Sequence, residues 1–213
     1  MSHRALLTKL QSSVSNLQEG FSAIPVERRQ TLEGIASWIA AQEAAGKPAD
    51  LIFICTHNSR RSHMAQIWTQ SLAWMHGLDY LRTFSGGTEA TEFNPRAVEA
   101  MRGCGFHITV EREGNNPLYH VAFAEDANSV SAFSKTYGDD FNPQKDFAAV
   151  MTCSDADEAC PVVLGAAARF AVPYRDPKES DDTVQETETY AGRCRQIGTE
   201  MLYMIRRAAE MTR

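Results

Sequence analysis

The chain has 213 residues, 43% hydrophobic and 23% charged, the balance of one globular domain with or without an appendage. A formal net charge of −6 supplies no global field for nucleic acid or an acidic membrane, so any anion site must be built locally. Five cysteines at wide spacing, with no C-x-x-C pair, argue against a secreted disulfide scaffold and against a structural zinc site. No apolar run is long enough to cross a bilayer, and the first residues, Met1-Ser2-His3-Arg4-Ala5-Leu6-Leu7, lack the apolar core of a secretory leader, so a cytoplasmic protein without membrane contact is expected. No cofactor is expected and no histidine or cysteine spacing suggests a metal.

Residues 5–17 carry Leu6, Leu7, Leu10, Val14 and Leu17 at helical spacing. Pro25 suits the first turn of a second helix, with Ile35, Trp38 and Ile39 on one face and Gly46-Lys47-Pro48 ending it. Residues 1–48 therefore read as a helical hairpin ahead of the main unit, used for packing or for an oligomer contact. Residues 49–213 form the second unit. Strands are expected at 51–55, 80–84, 108–110, 119–123, 147–153 and 169–174, and helices at 62–75, 95–104 and 186–213. Asn94-Pro95 opens the second of these helices as cap and first residue, and Gly103 and Gly105 close it. Residues 124–146 read as polar and irregular, within an insertion at about 114–146. Strands alternating with helices predict an α/β fold: a parallel sheet of about four strands with helices on both faces, plus the N-terminal helical extension. Such sheets place ligands at the C-terminal ends of their strands, where Cys55, Ser85 and Cys153 are expected.

The residues from Cys55 to Ser62 read C-T-H-N-S-R-R-S, between an apolar strand and a helix. A cysteine at a strand end, a five-residue loop and an arginine entering a helix make a cradle for a tetrahedral oxyanion. The N–H groups of Thr56, His57, Asn58, Ser59 and Arg60 and the helix N-terminus can point at one spot. Arg61 adds a planar fork for two oxygens. The same field favours the Cys55 thiolate, which is the nucleophile, and Ser62 can donate a hydrogen bond to it. Asn58 suits a left-handed turn and can hold the loop through its side chain. His57 and His63 flank the loop; either could raise local positive charge when protonated, but a positioning or surface role is favoured over a proton shuttle. Displacement at a tetrahedral centre needs a proton for the leaving oxygen, and Asp176, stiffened by Pro177, can supply it. Cys153 and Cys160 bracket a polar segment in which one thiol could attack a sulfur-bound adduct and the second take over the disulfide; two unrelated thiols fit the spacing equally. Cys104 and Cys194 read as packed thiols, and Glu179, Asp181 and Asp182 as a solvated acidic loop.

From residue 49 onward the chain resembles the low-molecular-weight tyrosine phosphatase superfamily, and within it the thioredoxin-coupled arsenate reductases. The Cys55–Ala65 run C-T-H-N-S-R-R-S-H-M-A is similar to that branch, and Cys153–Pro161, C-S-D-A-D-E-A-C-P, matches its second and third redox cysteines in spacing. Asp176-Pro177 matches the superfamily's acid, but Lys178-Glu179-Ser180 follows where phosphatases usually carry tyrosines. His57 replaces a common glycine, and Gln66 replaces a glutamate linked to potassium, so no potassium site is expected. The resemblance implies reduction of arsenate to arsenite through Cys55, Cys153 and Cys160, with thioredoxin or a similar dithiol as reductant. The alternative is hydrolysis of phosphate monoesters through a phosphocysteine. A third reading is a non-enzymatic thiol sensor that binds a partner through the hairpin.

Overall fold

The computed structural model describes residues 4–159 and 162–212. At its centre lies β1 (Ala49–Cys55), buried at each of its positions. It pairs in parallel with β2 (Leu81–Gly87) on one side and β6 (Phe147–Met151) on the other, and β7 (Ala166–Ala171) joins the far edge of β6. The sheet order is β2-β1-β6-β7. Strands covered on both faces lose the usual polar alternation and read as continuous apolar runs, as β1 and β6 do.

The two faces of the sheet feed two cores. Leu51 and Phe53 of β1, with Ala148 and Val150 of β6, join the large core beneath α2 (Val26–Ala44), α3 (Arg61–Met75) and α6 (Glu186–Met211). Ile52 and Ile54, with Phe147, Ala149 and Met151, face a smaller cluster that includes Ala156 of the one-and-a-half-turn α5 (Ser154–Ala159) and, packed beside it, Tyr137. The expected parallel sheet with helices on both faces is therefore present, thickly covered on one face and thinly on the other.

The N-terminal helices are built into the large core. Leu10, Val14 and Leu17 of α1 (Thr8–Leu17) and Leu32, Ile35 and Ile39 of α2 are all buried in it. Both helices lie along α6, so the apolar stripes that suggested an interface are covered within the chain.

Two sequence expectations are corrected. The stretch 124–146 is not irregular throughout: it holds β5 (Val130–Ala132), which extends an antiparallel sheet in the order β3-β4-β5 with β3 (His107–Arg112) and β4 (Leu118–Ala122). Three residues, Val-Ser-Ala, are too short for a period to show. The last strand starts at Ala166 rather than Arg169, because Ala166-Ala167-Ala168 has weak strand preference by itself. Backbone pairing continues past β7, with Val172 N–H bonded to the Met151 carbonyl and Tyr174 N–H to the Thr152 carbonyl. Among the described residues, no helix is long and apolar enough to cross a membrane.

Candidate active site

Cys55 ends β1, and its loop runs straight into α3. The loop's shape is set by Asn58, whose φ of 45° lies in the left-handed region that asparagine tolerates. Its side chain also fixes a chain of hydrogen bonds. The backbone N–H of Lys135 donates to Asn58 Oδ1 at 2.9 Å, which settles the orientation of the amide. Asn58 Nδ2 then donates to Ser62 Oγ at 2.9 Å. Because Ser62 Oγ accepts there, its own proton is free to point at Cys55 Sγ, 3.1 Å away. No side chain caps α3, so its first N–H groups remain available to an anion.

The loop is held from outside as well. The Thr88 and Glu89 N–H groups bond to the Cys55 and Thr56 carbonyls. Thr91 Oγ1 and Ser134 Oγ both donate to the His57 carbonyl, at 3.1 and 3.0 Å, and Asn94 N–H donates to the Ser59 carbonyl at 2.9 Å. Gly87 lies so close that a Cβ there would come within 2.6 Å of the Thr56 carbonyl and 2.7 Å of Asn58 N. His57 itself stands at the half-exposed rim, with Nε2 3.8 Å from the Glu89 carboxylate.

Arg61 is 7% exposed and is aimed by two acceptors: Nη1 donates to the Tyr174 carbonyl at 2.9 Å and Nη2 to Asp176 Oδ2 at 2.6 Å. Its Nε is buried without a partner, a donor open to an incoming oxyanion. Asp176 Oδ1 caps the turn Pro177–Ser180 through Lys178 N–H. Arg60 reaches the same carboxylate, its Nε 4.0 Å from Asp176 Oδ1, and extends toward α6. Its Nε donates to Tyr190 Oη at 2.8 Å, and that hydroxyl donates to Asp181 Oδ1 at 2.7 Å. Burial and the Asp181 carboxylate push the Tyr190 hydroxyl up to about 12. Asp181 thus belongs to the loop's support and not to a solvated acidic run.

Cys153 is fully buried, with Sγ 3.5 Å from Thr56 Oγ1 and accepting from Ala156 N–H at 3.3 Å. Cys153 therefore sits beside Thr56, the residue that follows Cys55. Cys160 lies outside the described residues. His63 holds neither a surface place nor a charge. It is fully buried, stacked on Phe93 at 4.2 Å between centroids, with Nδ1 3.3 Å from Ser85 Oγ. Burial, aided by the charge of Lys135, holds its pKa well below the usual histidine range, so it is neutral and adds no positive charge to the loop. Ser134 and Lys135, which brace the loop from 77 residues away, had no local signal in the sequence. Lys135 is itself buried over the Phe133 ring at 4.6 Å, and desolvation lowers it to about 8.

Residues 50–117 match the family model for low molecular weight phosphotyrosine protein phosphatase. Arsenate reductase 2 of Staphylococcus epidermidis is 32% identical over 127 residues, covering 60% of this chain and 77% of that protein. The chain belongs to the low-molecular-weight phosphotyrosine phosphatase family. Another relative, arsenate reductase 2 of Staphylococcus haemolyticus, is 34% identical over 113 residues, 53% of this chain and 66% of that one. The fold is shared with the YwlE mutant from Bacillus subtilis, at 16% identity and a TM-score of 0.51, over 74% of this chain and 97% of that one. The family model is thus that of a phosphatase, while both of these curated relatives are arsenate reductases.

Proposed function

We propose that the chain reduces arsenate to arsenite with a three-cysteine relay. The observation that carries this reading is Cys153 Sγ at 3.5 Å from Thr56 Oγ1, since hydrolysis needs no second thiol there. The Cys55 thiolate attacks arsenic, with the oxygens held by the loop N–H groups and Arg61. Arsenate entering on Arg61 displaces Asp176 from the guanidinium; the freed carboxylate takes up a proton from solvent and passes it to the departing hydroxide, which leaves as water. Cys153 then attacks the Cys55 sulfur. The S–As electron pair passes to arsenic, which leaves as arsenite, and a Cys55–Cys153 disulfide remains. Cys160 attacks Cys153, releases Cys55 as thiolate and hands the new disulfide to an external dithiol of the thioredoxin type. The apolar side chains of Val162 and Leu164, 73% and 80% exposed, lie beside Cys160 in sequence and offer that reductant a contact. A cytoplasmic setting supplies the reducing pool.

The same Cys55, Arg61 and Asp176 would cleave a phosphate monoester through a phosphocysteine, and slow hydrolysis of aryl phosphates is expected as a side activity. Cys160→Ser separates the readings. It should abolish multiple turnovers of arsenate with a thioredoxin system while leaving one turnover per enzyme and aryl phosphate cleavage near wild type. Equal multiple-turnover rates in wild type and variant would remove the relay.

A further inference from the structure

Two cysteines outside the relay stand together. Cys104, the last residue of α4 (Pro95–Cys104), and Cys194 in α6 are 90 positions apart in sequence, yet their sulfurs are 3.5 Å apart. They are free thiols. Cys194 is fully buried against Met101 Sδ at 3.3 Å and the Trp68 indole N–H at 3.4 Å. Cys104 is half-buried and lines a cavity of about 660 Å³ that also reaches Trp68, Tyr190 and Arg195. One sulfur is thus open to a small solute, and the other waits directly behind it.

We propose that Cys104 and Cys194 are a second redox-active thiol pair, oxidised by hydrogen peroxide to a disulfide that joins α4 to α6. The Cys104 sulfur attacks peroxide: an S–O bond forms, the O–O bond breaks, and hydroxide leaves as water, giving a sulfenic acid. Cys194 then attacks that sulfur. The S–S bond forms, the S–O bond breaks, and a second water leaves with the Cys194 proton. Two thiols and one peroxide become one disulfide and two waters, and a dithiol reverses the change. Bond formation needs the sulfurs to close from 3.5 Å to about 2.05 Å, a displacement within reach of side-chain rotation. The hydrogen bond from Cys194, with the charges of Arg195 and Lys9, lowers the Cys104 pKa and prepares it as the attacking thiolate.

The position gives the disulfide access to the active site. Asn94, the cap of α4, bonds to the Ser59 carbonyl, and Tyr190, one turn before Cys194 on α6, bonds to Arg60. A cross-link would brace the two helices that touch the oxyanion loop.

Peptide mapping of peroxide-treated protein tests this, in the full chain and in the Cys55→Ser/Cys153→Ser/Cys160→Ser variant, which removes competing thiols. A peptide joining Cys104 to Cys194 is expected in both, lost on treatment with dithiothreitol and absent when Cys104→Ser is added. Thermal unfolding of the oxidised form should move upward, because the link closes a long loop in the unfolded chain. A stable sulfenic acid trapped by dimedone on Cys104 with Cys194 still free would overturn the proposal. So would two unmodified thiols at a peroxide level that fully oxidises Cys55 in the unmodified chain.

Discussion

At the scale of single residues, the site depends on groups whose protonation or orientation has only one workable state. Asn58 is oriented by a backbone N–H and passes that orientation through Ser62 to the sulfur. His63 is the titrating counterpart. It is buried beneath the loop and kept neutral. Its usual value near 6.5 applies to the unfolded chain, so below that pH the unfolded state takes up a proton that the folded state refuses. Stability from this residue is complete above pH 6.5 and is lost as pH falls toward the depressed folded value, by up to about 1.4 kcal/mol per pH unit. His63→Gln keeps a polar group near Ser85 without that titration. Urea midpoints measured at pH 5 and pH 7 should differ less in the variant than in wild type. An unchanged difference would show that His63 is protonated in the fold.

At the scale of elements, what could be read in advance follows from how local each signal is. The Cys55 loop was legible because strand, nucleophile, arginine and helix lie within one short run, and Asn94-Pro95 because cap and first-turn proline are neighbours. The supports of that loop were not legible. Ser134 and Lys135 belong to a strap after a three-residue strand, and Tyr190 and Asp181 meet Arg60 only through the fold. Their residue types occur throughout the chain, and no spacing marks them. The end of α4 shows a local signal with a long-range consequence. Gly105 caps the helix at φ 105°, which its position after the last turn suggested. A Cβ there would also come within 2.4 Å of Leu10 N on α1, which the sequence does not show. Gly105→Ala should therefore cost more than the about 1 kcal/mol of a simple left-handed cap, and about 2–4 kcal/mol is expected once the clash with backbone is included. Equilibrium unfolding in urea measures it. A loss confined to about 1 kcal/mol would mean that α1 yields at no cost.

At the scale of the whole molecule, the question is whether the first helices are an appendage or part of one cooperative unit. The arrangement favours one unit. Leu32, Ile35 and Ile39 of α2 share a core with Phe53 of β1, Trp68 of α3 and Met201 and Ile205 of α6. Cooperativity follows from shared burial: exposing α2 would uncover its contacts with β1 and β7 and the surface of α6, which also packs on α3, the helix that covers β1 and β2. Ile35 is fully buried and far in sequence from the oxyanion loop. Ile35→Ala should cost about 2–5 kcal/mol through lost transfer energy and the cavity left behind. The informative readout pairs two probes during urea unfolding, far-ultraviolet circular dichroism for the helices and alkylation of Cys55 for the active site. One unit predicts that both midpoints fall together by the same amount. If dichroism shifts while Cys55 keeps its wild-type protection, residues 1–48 unfold on their own and the catalytic unit stands without them.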